Sequence, residues 1–130
     1  MLNVDKNLIR YNLTQIRVFT AIASLIFSMY AVYFDDIVNN DGILYLKAAK
    51  LFVSGNMEAA FATYNWPFYS IIIAFFQKIT SIPLELTAYI LSCIFFVLLT
   101  DALILISSLI FSVPRQLKIS AILILCFMPI

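Results

Sequence analysis

The chain has 130 residues, 64% of them hydrophobic and 12% charged, with a net charge of +1 and a mean hydropathy of +1.03. Soluble domains run at about 45–50% and about 25%, so a chain of this size cannot hide its apolar surface in a soluble core and reads as an integral membrane protein. The near-neutral charge argues against a nucleic-acid partner, and the absence of histidine removes the commonest general base and transition-metal ligand.

Residues 1–17 are polar and carry Lys6, Arg10 and Arg17 against Asp5. The charge-free run 18–34 that follows is the short end of a transmembrane helix, which a snorkelling Arg17 would lengthen. Its end lacks the small-x-small pattern of a signal-peptide cleavage site, so it reads as an uncleaved anchor. The basic tail puts the N-terminus in the cytoplasm and the polar segment 35–66 outside.

That segment and the aromatics just after it hold three of the five aspartates, both glycines and the single tryptophan. Lys47, Lys50 and Ser54 recur at helical spacing, opposite Leu44, Ala48, Leu51 and Phe52. The pattern predicts an amphipathic helix along the membrane surface, with Asn40 or Asp41 as N-cap and Gly55-Asn56 as its stop. A shorter helix is expected over 58–63.

Trp66-Pro67 opens a second apolar run, 67–82, interrupted by Gln77 and Lys78 and therefore short. Pro83 and Glu85 make a turn. A third run, 86–111, is broken only by Asp101, and a second turn over 112–115 leads to a fourth run, 119–130. The last is too short to cross a bilayer, which suggests a truncated chain. If three runs cross, Arg115 and Lys118 fall outside and no positive-inside bias remains; a second run that dips in and returns restores it. The expected fold is thus all-α and multi-spanning, a single transmembrane region over 1–130 whose external loop bears juxtamembrane amphipathic helices.

The acid candidates are Asp35, Asp36, Asp41 and Asp101. Asp35 and Asp36 follow the first span and form either an ordinary polar helix end or a place for a hard divalent cation or a sugar. Asp41 can cap the surface helix or act as a base beside a helix N-terminus. Asp101 is costly in an apolar run, about 2.5–3.5 kcal/mol on the insertion scale, so it should face other helices or water, with Thr100 or Ser108 as network partners. Tyr45, Tyr64, Trp66 and Tyr69 flank the loop, as interface anchors or as stacking surfaces for a sugar. Cys93 and Cys126 lack metal-site spacing and read as small buried side chains.

The order of these features resembles the GT-C glycosyltransferases, multi-spanning enzymes that use polyprenyl-phosphate-linked sugars, and within them the protein-mannosyltransferase and aminoarabinose-transferase branch. Asp41-Gly42-Ile43-Leu44-Tyr45 is similar to that branch's Asp-Glu-x-x-Tyr motif, with Gly42 in place of the glutamate. Ser54-Gly55 is similar to its helix end. Trp66-Pro67-Phe68-Tyr69 is similar to its proline-led start of the next span, with Trp66 where a lysine often stands. The resemblance implies an inverting glycosyltransferase in a bacterial cytoplasmic membrane. Asp41 would be the catalytic aspartate, with Asp36 and Asp35 positioning acceptor or cation. Tyr45, Trp66 and Tyr69 would line the sugar site, and Lys47 or Lys50 would meet the lipid phosphate. The partners expected are membrane lipid and a polyprenyl-phosphate-linked sugar, with the acceptor open, and the 130-residue chain alone is expected to be inactive. The alternative is a small multi-pass subunit with a structural or transport role, in which Asp101 is the functional polar residue.

Overall fold

The computed structural model describes residues 6–34, 40–111 and 114–127, and side chains over 13–34, 40–111 and 115–126. The described residues are all-helical: α1 (Lys6–Phe34), α2 (Asn40–Val53), α3 (Met57–Thr63), α4 (Phe68–Thr80), α5 (Leu84–Ile110) and α6 (Pro114–Phe127). Asp35, Asp36, Ser112, Val113 and residues 128–130 lie outside them.

Two helices are long and apolar enough to cross a membrane, through Leu13–Phe34 of α1 and Leu84–Ile110 of α5. Only 17% of each apolar window is buried, so neither resembles the core helix of a soluble protein. Their apolar side chains face outward, as Phe19, Ile26, Leu98 and Ile106 do. The second expected crossing, 67–82, is not of this length. It folds as α4, 13 residues, which at about 1.5 Å per residue covers some ~20 Å of a ~30 Å hydrocarbon core. Gln77 and Lys78 continue α4 instead of interrupting it.

Other helix ends also differ from the sequence reading. Nothing between 6 and 17 breaks a helix, having neither glycine nor proline, so α1 starts well before the apolar run. Asn40 and Asp41 are the first helical residues of α2, not its cap. Glu85 belongs to the first turn of α5, and α6 starts at Pro114, where a proline has no N–H to lose. Cys93 is half-buried and Cys126 exposed; both stand on apolar helices that turn much of their surface outward, so neither is a core side chain.

Contacts divide the chain at Ala31/Val32 and Ser92/Cys93 into two compact units. In the unit over 32–92, α2 packs on α3 and α4. The inward stripe of α2, Tyr45, Ala48, Ala49 and Phe52, follows the i, i+3, i+4, i+7 rule. It shares a core with Ala60 of α3, Ile73 and Ala74 of α4 and Leu91 of α5. Gly55 ends α2 at φ +83. Its N–H donates to the Phe52 carbonyl (3.1 Å) and that of Asn56 to the Leu51 carbonyl (3.0 Å), the paired bonds of a Schellman motif. Asn56 then caps α3, its Oδ1 accepting from the Ala59 N–H at 3.2 Å. The Gly55-Asn56 stop and the short helix after it are as the sequence suggested.

The other unit joins most of α1, the later part of α5 and α6 around Ile16, Ile104, Leu117 and Ala121. Polar side chains stitch it together. Ser24 donates to Thr100 at 3.1 Å and Ser120 to Ser107 at 2.9 Å. Arg17 grips both carboxylate oxygens of Asp101, at 2.6 Å from Nε and 2.7 Å from a terminal nitrogen. Arg17 is therefore not a snorkelling end residue. Asp101 takes Arg17 as partner, while Thr100 serves Ser24 and donates to the Phe96 carbonyl, and Ser108 donates to the Leu105 carbonyl of its own helix.

Candidate functional site

Of the residues suggested for chemistry, Asp41, Tyr45 and Tyr69 form one group in the unit over 32–92, on α2 and the start of α4. Asp41 is exposed in the first turn, where the helix N-terminus favours an anion. One turn on, about 40° around the helix, Tyr45 points toward the 64–69 segment. Its hydroxyl lies 3.2 Å from that of Tyr64, with ring centroids 4.9 Å apart, and its ring meets Tyr69 edge-on at 5.4 Å. Tyr69 is anchored to α5. Its hydroxyl donates to the Ala88 carbonyl at 2.9 Å and lies 2.7 Å from the Ser92 hydroxyl.

The Tyr64 hydroxyl is held above the ordinary tyrosine range. The main cause is its hydrogen bond with Tyr45, followed by partial burial and then by the nearby Tyr45 and Asp41 charges. Deprotonating Tyr64 would set a phenolate near the Asp41 carboxylate. Tyr64 therefore holds its proton more firmly than an ordinary tyrosine, and its hydroxyl can donate a hydrogen bond.

Trp66 is set apart. It is 80% exposed and, among the described residues, makes no ring contact. Lys47 and Lys50 are apart as well. At 3.6 residues per turn they lie about 120° and about 180° around α2 from Asp41, and they line a different groove, with Glu85 across it. The eight candidate residues thus fall into an Asp41–Tyr45–Tyr69 group, a lone Trp66, a lysine face, and Asp35 and Asp36 outside the described residues. Among the described residues no group of three or more His, Cys, Asp or Glu could hold a metal; Asp35 and Asp36, expected to position a cation, lie outside the described residues.

The sequence shows Tyr64 as one of the aromatics flanking the loop and Glu85 as part of a turn, but neither the pairing of Tyr64 with Tyr45 nor the place of Glu85 in the lysine groove; no local spacing connects either to α2, because both come close only through packing. Compared with family models, curated proteins and solved structures, the chain matches none. What the structure defines is a class: an all-helical chain with two helices of membrane length and a compact unit bearing an exposed acid.

Proposed function

We propose that this chain supplies the acid-bearing loop of a multi-pass membrane glycosyltransferase of inverting type, using a sugar linked to polyprenyl phosphate. The acceptor hydroxyl attacks the anomeric carbon, Asp41 takes its proton, and polyprenyl phosphate leaves with the bonding electron pair. One observation carries the reading: an exposed carboxylate in the first turn of α2, near enough to the Tyr64 hydroxyl, itself paired with Tyr45, for its charge to be felt there. Tyr64 and Tyr45 are suited to donate hydrogen bonds to sugar oxygens, and exposed Trp66 to stacking. The proposed setting is a bacterial cytoplasmic membrane with the N-terminus inside and α2 outside.

The test is Asp41→Asn in native membranes that hold the whole enzyme to which this loop is proposed to belong, supplied with a polyprenyl-phosphate-linked sugar. Asparagine retains the shape of the side chain and loses the base, and removal of a positioned base costs about 10²–10⁴ in rate. Normal insertion with transfer at least about a hundredfold lower is expected; near-normal transfer defeats the assignment. The Arg17–Asp101 pair favours a second reading, a small multi-pass subunit whose polar residues only clamp its helices. In that case membranes carrying the protein show no transfer above membranes lacking it.

A further inference from the structure

The lysine face of α2 has a groove of its own, of about 560 Å³, within the roughly 300–1,000 Å³ of small-molecule sites. Lys47 and Lys50 rise from one wall and Glu85, in the first turn of α5, from the other. The two lysines are three residues apart, so their Cβ atoms lie about 5–6 Å from each other and both ammonium groups can reach one anion. Among the described residues none of the three is in an ion pair. The rest of the lining is apolar: Ile43 and Leu46 beside the lysines, Pro83 and Leu84 beside Glu85.

We propose that this groove binds the headgroup of a zwitterionic phospholipid with a primary amine, of phosphoethanolamine type. Its phosphate sits on Lys47 and Lys50, its ammonium donates to Glu85, and the start of its acyl chains lies against Ile43, Leu46 and Leu84. Charge complementarity selects this occupant. An anionic lipid without an amine satisfies the lysines but faces Glu85 with like charge. A quaternary ammonium has no N–H to donate. A purely apolar partner strips water from three charges and returns nothing. Snorkelling accounts for the lysines and the helix dipole for Glu85, but neither requires the three to share one cavity. The inference rests on the membrane reading and not on the chemistry assigned to Asp41, which lies on another face of α2.

The full chain, purified in detergent, is titrated by native mass spectrometry with phosphatidylethanolamine, phosphatidylglycerol and phosphatidylcholine of matched acyl chains, and with soluble glycerophosphoethanolamine. Phosphatidylethanolamine should bind about tenfold more tightly than the other two lipids, the scale of one hydrogen bond to a charged group. Glu85→Gln should remove that preference, and Lys47→Gln with Lys50→Gln should weaken all three lipids by about tenfold or more. Unchanged helical circular dichroism shows that the variants fold. Equal affinity for the three lipids, a preference that survives Glu85→Gln, or soluble headgroup binding as tight as the lipid's would each overturn the proposal. A chain that stays monomeric in buffer without detergent removes the membrane premise, a result distinct from lost lipid selectivity.

Discussion

Both oxygens of Asp101 are held by a single guanidinium. Bidentate geometry of this kind fixes orientation as well as supplying charge. The side chains stay 42% and 26% exposed, but the surface around them is apolar, so outside a bilayer they are screened by water and inside one they depend on each other. Removing one partner leaves the other alone; replacing both with apolar groups does not. Arg17→Leu and Asp101→Leu should each lower the thermal midpoint in detergent or lipid, and the double variant should recover most of the loss. Additive losses in that cycle would show the pair to be energetically idle. The sequence made it legible that Asp101 needs a partner, because an acid in an apolar run is expensive. It pointed to Thr100 and Ser108 because spacing reads only neighbours, whereas Arg17 is 84 positions away. A cation and an anion, each within a membrane-length helix, is the signal that could have joined them. The acid near the surface helix was readable in a different way: Asp41 and Tyr45 are four apart, and one helix suffices to place them together.

Among the helices, the end of α2 and the start of α3 were the most legible, because the boundary between them is written in local chemistry. Gly55 at φ +83 and Asn56 as the next cap are decided within a few residues. At Gly55 an added Cβ would meet nothing within 4 Å, so the cost of a side chain there is in the backbone alone. Gly55→Ala should therefore destabilise by about 1–2 kcal/mol, the left-handed penalty for an L-residue. Ser81, which closes α4 at φ 58 without being glycine, gives the opposite case: Ser81→Gly should stabilise by up to about 1 kcal/mol. Thermal unfolding of both variants checks the pair, and shifts of the same sign would contradict it. The start of α1 and the continuity of α4 through Gln77 and Lys78 were hidden, because a polar residue does not end a helix unless something replaces its backbone bonds. That Lys47 and Lys50 face away from Asp41 was readable from 3.6-residue periodicity; that Glu85 faces them was not.

For the whole molecule, composition and long apolar runs made the all-helical architecture and two membrane-length helices legible. The number of crossings was not, since α4 has the hydropathy of a span without its length. The sidedness proposed here can be read with a single thiol. In a Cys93→Ala, Cys126→Ala background, Ser54→Cys places a cysteine at an exposed position after α2. It should react with a membrane-impermeant maleimide in intact cells, or in spheroplasts where an outer barrier intervenes. Reaction only after lysis would put α2 in the cytoplasm and remove the proposed external site.

The distance along the chain between Arg17 and Asp101 also sets a schedule. Ribosomes add about 5–20 residues per second, so the 84 positions between them take roughly 4–17 s to synthesise. Throughout that interval α1 exists and its counter-charge does not. A helix delivered to a bilayer before its partner must keep its guanidinium at the headgroup level, reaching outward from about one turn inside the span. The clamp closes only when α5 arrives, so assembly of this unit is timed by translation, and a nascent chain halted before residue 101 carries α1 in a shallower, unlatched position.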